Sequence, residues 1–247
     1  MLKIAIIGYG QMGKLVEKLA SQNKFEIVAK IDPLLGTEIN DQTVAKADVC
    51  IEFSTPTAAP ENLKKLIKLG KNVVTGTTGW HEDLPVIEKL VESNATGLIY
   101  GSNFSIGMNL FFSLIDSAAK LMNKAKDYDL YGLEMHHNKK QDSPSGTAKV
   151  LSDIILQNID RKNISQFEKL DRKIKANEFH FASIRSGDIP GLHLIGFDAA
   201  EDTIELKHNA KNRNGLALGA IKAAEWINQK TGIYNFKDIY EQILEID

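Results

Sequence analysis

The sequence predicts an α/β protein, with a Rossmann-type doubly wound parallel sheet followed by a smaller α+β domain that has an open mixed sheet. An apolar segment runs directly into a G-x-G-x-x-G turn and then into a helical pattern, as at the start of a dinucleotide-binding fold. Strands and helices alternate up to about residue 105, where a run of strands takes over. We therefore expect a dinucleotide-binding domain at residues 1–105 and 213–247, and a substrate-binding and oligomerisation domain at 106–212.

Composition and charge narrow the class of protein. An apolar content of 43% and a charged content of 25% are ordinary for a globular protein. The net charge of −2 argues against a general nucleic-acid binder. No apolar run approaches the roughly 20 residues that span a bilayer, and the single cysteine fits a reducing compartment. We therefore expect a cytoplasmic protein without nucleic-acid or membrane partners.

The glycine turn is the most specific pattern of the first domain. It lies between a strand at residues 2–7 and a second strand at 25–31. Gly8 makes the tight turn, Gly10 lets a pyrophosphate approach the backbone, and Gly13 lets the helix pack on the strand. In this context the turn predicts a nicotinamide dinucleotide as cofactor.

Asp32 ends the second strand, where it bears on which cofactor binds. A carboxylate at this place hydrogen-bonds the ribose hydroxyls of NAD and repels the 2′-phosphate of NADP. The next residue, Pro33, offers no side chain to a phosphate, and Lys30 could face either way. The pattern favours NADH, or use of both NADH and NADPH. The alternative is that Asp32 only caps the turn before Pro33.

The remainder of the first domain repeats the alternation. Strands are predicted at 48–53, 72–75 and 97–100, with helices at 58–69 and 84–93. Ligands of such sheets lie beyond the carboxyl ends of the strands. The loops at 54–56, 76–78 and 102–105 all lie there, and their small polar side chains suit the nicotinamide half of the cofactor. Each loop taken singly could also be only a turn.

The second domain begins with a helix predicted at 106–122. Strands follow at 128–135, 178–185, 192–197 and 203–207, with a helix at 148–159. The polar segment 161–176 is expected to be a mobile loop. Helices at 215–226 and 236–243 are expected to return to the first domain, with no further strand to build. An open sheet has one face to cover, and self-association is one way to cover it.

A polar stretch at residues 134–149, EMHHNKKQDSPSGTAK, carries the chemistry. His136 and His137 lie at a strand end, so their rings are expected to point to opposite sides. A histidine can give or take a proton near neutral pH, and Lys140 can protonate a substrate or hold an anion. The alternative is a histidine pair used only for packing or capping.

The end of this stretch predicts a carboxylate cradle. Ser145, Gly146 and Thr147 open a helix, whose free N–H groups and dipole attract an anion. The alternative is a simple N-cap. Arg213 is a candidate clamp for a carboxylate, or else a solvated arginine. A metal site is the weaker interpretation, because one cysteine and no second acid–histidine cluster leave too few ligands.

Hydride from a nicotinamide and a proton, both delivered to a bound substrate that carries a carboxylate, amount to a reduction of that substrate. The residues alone thus predict an NAD(P)-dependent reductase of a small anionic substrate. Two alternatives stay open. One is another two-domain dehydrogenase of a small carboxylate, and the other is a non-catalytic NAD-binding sensor, which would not need His136 and Lys140.

The sequence also resembles the dihydrodipicolinate reductase family. EMHHNKKQDSPSGTA is similar to that family's signature E-x-H-H-x-x-K-x-D-x-P-S-G-T-A. IEFSTP, GTTG, SNFSIGMN, SIRSGDIPGLH and LKHNAKNR resemble its other motifs, in the same order along nearly the whole chain. The resemblance implies reduction of 4-hydroxy-tetrahydrodipicolinate to tetrahydrodipicolinate with NAD(P)H, on the diaminopimelate route to lysine, by a homotetramer.

The resemblance also implies roles for individual residues. His136 matches the general acid/base and Lys140 the proton donor. His137, Gly146, Thr147 and Arg213 match groups that hold the substrate's carboxylates. The expected cofactor contacts are Gly8, Tyr9, Gly10, Gln11, Met12, Gly13, Asp32, Gly76, Thr77, Thr78, Ser102, Asn103, Phe104 and Ser105. Departures from the family pattern are Pro33, where many members carry arginine, and Pro190, Leu192 and Asn209; the first bears on the cofactor and the others on substrate affinity.

Overall fold

A computed structural model describes residues 1–22 and 25–245 of the chain. The chain divides into two compact units, Met1–Ile106 with Asn214–Asp247, and Gly107–Arg213. Residues 23, 24, 246 and 247, which the predicted first domain includes, lie outside the described part. Each unit has its own sheet and its own apolar core.

The first unit is built on a parallel sheet with the strand order β2-β1-β3-β4-β5-β11. Its strands are β1 (Lys3–Ile7), β2 (Glu26–Ile31), β3 (Val49–Glu52), β4 (Asn72–Thr75), β5 (Gly97–Tyr100) and β11 (Gly232–Asn235). Its helices are α1 (Gln11–Ala20), α2 (Asp41–Val44), α3 (Ala59–Lys68), α4 (Leu84–Ser93), α7 (Asn214–Ile227) and α8 (Phe236–Leu244). Every strand pair in this sheet is parallel.

Helices cover both faces of this sheet, as the doubly wound prediction requires. α1, α7 and α8 pack on one face, where Val16, Ile221 and Phe236 are buried. α2, α3 and α4 pack on the other face around residues such as Leu63 and Ile87. The central strands are buried on both sides, which explains their near-continuous apolar sequences. The predicted Rossmann-type sheet is therefore confirmed.

One expectation about this sheet is wrong. We expected no strand after the predicted helix 215–226, but β11 pairs in parallel with β5 and forms the edge of the sheet. The segment is only four residues long, and each of them is half-buried. An edge strand of this kind lacks the apolar run that reveals a central strand.

The second unit is an α+β structure with a mixed sheet in the order β10-β9-β6-β8-β7. Its elements are α5 (Ile106–Met122), which begins at the boundary, β6 (Asp129–His136), α6 (Gly146–Asn158), β7 (Ile164–Gln166), β8 (Glu178–Arg185), β9 (Leu192–Asp198) and β10 (Thr203–Asn209). β6 is parallel to β8 and antiparallel to β9. The predicted open mixed sheet is confirmed, and α5 and α6 supply the core of one face.

The segment 161–176 is more ordered than the sequence suggested. It contains β7, which pairs in parallel with β8. Arg172 donates two hydrogen bonds, of 2.8 and 2.6 Å, to the buried carboxylate of Glu178. The segment expected to be a mobile loop therefore contains an edge strand, and the Arg172–Glu178 ion pair attaches it to β8. In the part of the chain that the structure describes, no helix is long and apolar enough to cross a membrane.

Candidate active site

The glycine turn follows β1, and the space around its backbone differs from one glycine to the next. Gly8 has φ +86°, and a Cβ there would lie 2.3 Å from the carbonyl oxygen of Phe53. A Cβ on Gly13 would lie 2.3 Å from the carbonyl oxygen of Gly8. A Cβ on Gly10 would meet nothing within 4 Å. The fold therefore requires glycine at positions 8 and 13, and at position 10 it leaves open space.

A pocket of about 570 Å³ opens beside this turn. It lies where β1, β2 and β3 end, which is the point of the sheet where the strand order reverses. Gly8, Gly10, Asp32, Ser54 and Lys65 are among the residues that line it. The pocket has the place and the glycine-rich rim of a dinucleotide site.

Asp32 caps a turn and lines the pocket at the same time. Its carboxylate accepts N–H groups from Tyr9 at 2.7 Å and from Leu34 at 2.8 Å. The second bond caps the short 3₁₀ turn at Pro33–Leu35, while the carboxylate still lines the pocket. Lys30 pairs with Glu17 at 3.1 Å and lies 5.1 Å from the centre of the Tyr9 ring. The lysine whose direction was uncertain is thus bound to an acid on α1.

The loops after β3 and β4 are bonded to one another. The hydroxyl of Thr77 accepts the N–H of Ser54 at 3.0 Å. Glu52, which is buried, accepts hydrogen bonds from Thr75 at 2.6 Å and from the N–H of Ser54 at 3.0 Å. None of the described residues at 76–78 or 102–105 lines the 570 Å³ pocket. The loop at 76–78 is nevertheless joined to the edge of this pocket, because Thr77 is bonded to Ser54.

The loop after β5 combines packing with polar groups. The ring of Phe104 is 2% exposed and lies 4.6 Å, centre to centre, from the ring of Phe236. Phe104 thus anchors this loop in the apolar core of the first unit. The side chain of Asn103 accepts the N–H of Ser105 at 2.9 Å. Ser102 is exposed, so this loop offers polar groups on both sides of its core anchor.

A buried acid–histidine cluster lies at the end of β6 in the second unit. His136 is the last residue of β6, and its Nδ1 lies 3.5 Å from Oε2 of Glu134. Nε2 of His193, on the neighbouring strand β9, lies 3.5 Å from the same oxygen. The two histidine rings meet edge to face with their centres 5.1 Å apart. All three side chains are buried.

The other oxygen of Glu134 receives several donors. Oε1 accepts the N–H of Ser145 at 3.1 Å and the hydroxyl of Ser183 at 2.8 Å. Arg185 adds a charged hydrogen bond at 2.8 Å. Burial raises the pKa of the Glu134 carboxyl, but hydrogen bonds from His193, Ser145, Arg185 and Ser183 outweigh it and hold that pKa well below its usual range. Glu134 is thus a buried carboxylate that stays ionised.

Burial has the opposite effect on His136. Desolvation lowers the pKa of its imidazole to about 4, although the charge of Glu134 opposes that shift. The charges of His193, Lys140 and Arg185 lower the pKa further. At neutral pH His136 is therefore an uncharged imidazole, which can accept a proton.

The three residues of the cluster also place potential metal ligands within 4.8 Å of one another. The sequence argument counted too few ligands close together, and the fold corrects that count. A cation here would lie beside the guanidinium of Arg185, which already neutralises Glu134. The charge of Glu134 is thus already balanced by Arg185, which disfavours a second positive charge beside it.

The loop that follows β6 carries the other expected groups. Lys140 is partly buried and pairs with Asp142 at 2.6 Å. The N–H of His137 donates to the carbonyl of Ile189 at 2.8 Å. Arg185 also donates to the carbonyl of Asp142 at 2.8 Å, so it joins this loop to Glu134. The structure thus brings Lys140 and His136 into one electrostatic cluster.

The expected carboxylate cradle is the first turn of α6. The hydroxyl of Ser145 caps the helix by accepting the N–H of Ala148 at 3.1 Å, and it lies 3.3 Å from Nε2 of His193. A Cβ on Gly146 would meet nothing within 4 Å, so space is left there for a ligand. Thr147 is half-buried at the next position. Arg213 lies exposed in the turn between β10 and α7.

Sequence reasoning missed Glu134, Arg185 and His193 as members of the site. One signal for Glu134 was present, because residues two apart on a strand share a face, and His136 was already a candidate. Arg185 and His193 come next to Glu134 and His136 only through the pairing of β8 and β9 with β6. No local pattern could have revealed that pairing.

Family comparisons agree with the geometry across both units. The family model "Dihydrodipicolinate reductase, N-terminus" matches residues 2–104, and "Dihydrodipicolinate reductase, C-terminus" matches residues 107–240. The 4-hydroxy-tetrahydrodipicolinate reductase of Christiangramia forsetii is 36% identical over 244 residues, which cover 99% of this chain and 100% of that protein. The enzyme of the same name from Methanosarcina barkeri is 35% identical, over 97% of this chain and 99% of that protein.

Solved structures similar to this chain include a member of the same family. Dipicolinate-bound dihydrodipicolinate reductase from Paenisporosarcina sp. TG-14 is similar with a TM-score of 0.78 and 25% identity, over 97% of this chain and 99% of that chain. An amine dehydrogenase from Mycobacterium smegmatis is similar with a TM-score of 0.58 at 12% identity, over 94% of both chains. At that identity the second likeness concerns the fold alone.

Proposed function

The chain belongs to the dihydrodipicolinate reductase family, and on that premise we propose that it reduces 4-hydroxy-tetrahydrodipicolinate to tetrahydrodipicolinate with a nicotinamide cofactor, on the diaminopimelate route to lysine. The observation that carries the proposal is the cluster at the end of β6. There a buried imidazole lies 3.5 Å from the carboxylate of Glu134, and hydrogen bonds join that carboxylate to the start of α6 and, through Arg185, to the loop that carries Lys140. A reductase of a small dicarboxylate needs a proton source and an anion cradle, and this cluster supplies both.

The first unit holds the cofactor in this proposal. Bound there, the cofactor supplies the hydride of the reduction. The proposed contacts are Gly8, Tyr9, Gly10, Gln11, Met12, Gly13, Asp32, Gly76, Thr77, Thr78, Ser102, Asn103, the backbone of Phe104, and Ser105. The open space at Gly10 fits a pyrophosphate against the start of α1, where free N–H groups attract phosphate.

We propose that NADH is the preferred cofactor. Of the charged side chains that line the 570 Å³ pocket, Asp32 and Glu38 are acidic and Lys65 is basic. Asp32 is held in place by two backbone N–H groups, so its carboxylate is oriented before the cofactor arrives. A fixed carboxylate accepts hydrogen bonds from ribose hydroxyls and repels a 2′-phosphate. Pro33 adds no positive charge that would offset this repulsion.

The second unit holds the dicarboxylate substrate. Gly146 and Thr147 present the N–H groups and the dipole of α6 to one carboxylate. His137 and Arg213 are the further groups that we assign to carboxylate binding. The free space over Gly146 supports this assignment, because a side chain there would occupy the volume of the anion.

Lys140 is the proton donor in this proposal, and His136 is the general acid/base. The depressed pKa of His136 keeps its imidazole neutral in the resting protein, so it can take up the proton that Lys140 gives up and pass it to the substrate as the hydride arrives. The Lys140–Asp142 pair, at 2.6 Å, holds the lysine within the loop until an anionic substrate competes for it.

We further propose a cytoplasmic homotetramer. Two rows of apolar side chains lie on the face of the second sheet away from α5 and α6. One row is Ile184, Met135 and Leu192 across β8, β6 and β9, and the next is Ala182, Leu133 and Leu194. Ile184 is 40% exposed. An apolar face of this kind is stabilised when a second copy covers it.

A coupled assay tests the function. Pyruvate and aspartate semialdehyde are mixed with their condensing enzyme, this protein is added, and loss of absorbance from the reduced cofactor is followed. We expect fast oxidation only when the condensing enzyme is present. Folded protein that binds NADH but oxidises neither NADH nor NADPH in this mixture would overturn the proposal.

A further inference from the structure

We propose that Glu134 is a positioning residue that couples the proton-transfer site to the carboxylate cradle. Its single buried carboxylate faces His136 with one oxygen and holds the start of α6 with the other. The inference deepens the proposed function and rests on it. Glu134 is assigned the task of fixing the positions of His136 and of the start of α6 relative to one another.

The geometry separates the two oxygens by partner. Oε2 lies 3.5 Å from Nδ1 of His136 and 3.5 Å from Nε2 of His193. Oε1 accepts the N–H of Ser145 at 3.1 Å, where the cradle begins. A shift of this carboxylate therefore moves the imidazole's partner and the helix start together.

The position of Glu134 in the sheet makes this reach possible. β6 is a central strand, and Glu134 stands directly opposite Ser183 on β8 and His193 on β9. The chain leaves β6 after His136 and returns at Ser145, which Glu134 contacts 11 positions along the sequence. The side chain of Glu134 thus joins the two ends of the loop that carries Lys140, and it does so from a central strand of the sheet.

Arg185, at the end of β8, forms a further link between Glu134 and this loop. Its Nη2 lies 2.8 Å from Oε1 of Glu134 and 2.8 Å from the carbonyl oxygen of Asp142. Removal of the glutamate's charge would leave this guanidinium largely buried without its anion, which is costly. The loop and the cradle would both lose an attachment.

A change of Glu134 to glutamine tests the coupling. Glutamine keeps the size of the side chain, but it removes the charge that faces the two imidazoles and Arg185, and its NH₂ group cannot accept a hydrogen bond. We expect kcat to fall roughly 10-fold to 100-fold, because small misplacements of reacting groups have effects of that size. We also expect KM for the substrate to rise, because the cradle is displaced, while KM for NADH stays unchanged.

Glu178→Gln is the matched control. Glu178 is also a buried glutamate paired with an arginine, at the other end of β8, and the site does not use it. We expect this variant to keep the kcat and the substrate KM of the unmodified enzyme. A loss of kcat of the same size in both variants would mean that any buried charge in this sheet is needed for folding, and it would overturn the inference.

A double-mutant cycle with His136→Asn separates positioning from general destabilisation. If Glu134 acts on kcat through His136, Glu134→Gln should lower kcat in the parent enzyme and have little further effect in the His136→Asn background. An undiminished loss in that background would overturn the inference, as would a parent Glu134→Gln enzyme with normal kcat and KM.

Equilibrium binding distinguishes failure of this inference from failure of the proposed function. Pyridine-2,6-dicarboxylate, a planar dicarboxylate, is titrated calorimetrically into each variant. We expect Glu134→Gln to bind it at least several-fold more weakly than Glu178→Gln does. If the unmodified protein binds this ligand but turns over no substrate, the proposed function fails and the coupling is decided by binding alone. Equal affinity of the two variants would overturn the coupling.

Discussion

Oε2 of Glu134 lies 3.5 Å from Nδ1 of His136, and both residues belong to the central strand β6. They are two positions apart, so the alternation of the strand places both side chains on one face. The acid is fully buried and the histidine nearly so. An ionised carboxylate beside an uncharged imidazole is an arrangement that holds a ring in one orientation while it accepts and returns a proton.

Replacement of His136 by asparagine should remove the general acid/base. We expect kcat to fall roughly 10²-fold or more, which is the usual contribution of a positioned proton-transfer group. KM for NADH should be unchanged, because the proposed cofactor contacts belong to the first unit. Steady-state kinetics with varied substrate and varied cofactor measure both constants. A near-normal kcat would exclude His136 from this role.

Replacement of Lys140 by glutamine should also lower kcat/KM strongly, by roughly 10²-fold, because the donated proton and a positive charge near the substrate are both lost. Lys139→Gln is the matched control, since Lys139 is the adjacent lysine and is exposed. Equal rates for the two variants would show that the loop contributes only general positive charge.

Thr147→Val tests the cradle at the start of α6. The change keeps the shape of the side chain and removes its hydroxyl, so KM for the substrate should rise roughly 10-fold or more while kcat changes little. The loss of one hydrogen bond to a charged group corresponds to about 1.5–3 kcal/mol. A change confined to the cofactor's KM would contradict the assignment of Thr147 to the substrate.

The account predicts a higher kcat/KM with NADH than with NADPH. Asp32→Asn should lower the ratio of kcat/KM with NADH to kcat/KM with NADPH, because an amide does not repel a 2′-phosphate. Asparagine can still accept an N–H group, so the capped turn should largely persist. Asp41→Asn, which changes an acid outside the pocket lining, serves as the control. A strong preference of the unmodified enzyme for NADPH would refute the role given to Asp32.

Acid stability should report on Glu178. Hydrogen bonds from Arg172 and from the N–H of Lys175 lower the pKa of its carboxyl to about 2. A carboxyl whose pKa is depressed in the folded state stabilises that state above its ordinary pKa, and this contribution is lost as the pH falls toward the folded value. Glu178→Gln should therefore be less stable than the parent at pH 7, and the gap should close between about pH 4.5 and 2. Thermal unfolding across that pH range measures the gap, and a constant gap would contradict the prediction.

The sequence predicted those parts of the fold that depend on local patterns. β4, α4, α5 and β8 begin and end where the patterns placed them, because apolar runs and glycine turns define them. β7 and β11 were missed, since both are short edge strands without a clear apolar period. Their pairing partners lie on other segments of the chain, and the sequence does not reveal such pairing.

The candidate site likewise has a part that the sequence predicted and a part that only the fold reveals. His136, Lys140 and the start of α6 are contiguous in sequence, so their chemistry could be inferred before the fold was known. Arg185 and His193 reach Glu134 through strand pairing over 51 and 59 positions of sequence, and only the register of β6 with β8 and β9 brings them together. The pairing of the strands thus adds the charges of His193 and Arg185 to those of Glu134 and Lys140, which the sequence already places near His136.

Transfer of an isotope label tests the central claim most directly. NADH carrying deuterium at both hydrogens of the reactive nicotinamide carbon is used in the coupled reaction, and the product is analysed by mass spectrometry. The account predicts that tetrahydrodipicolinate formed by this protein contains deuterium from the cofactor, and that His136→Asn forms it far more slowly. Product without deuterium, or cofactor oxidation that does not depend on the condensed substrate, would contradict the account.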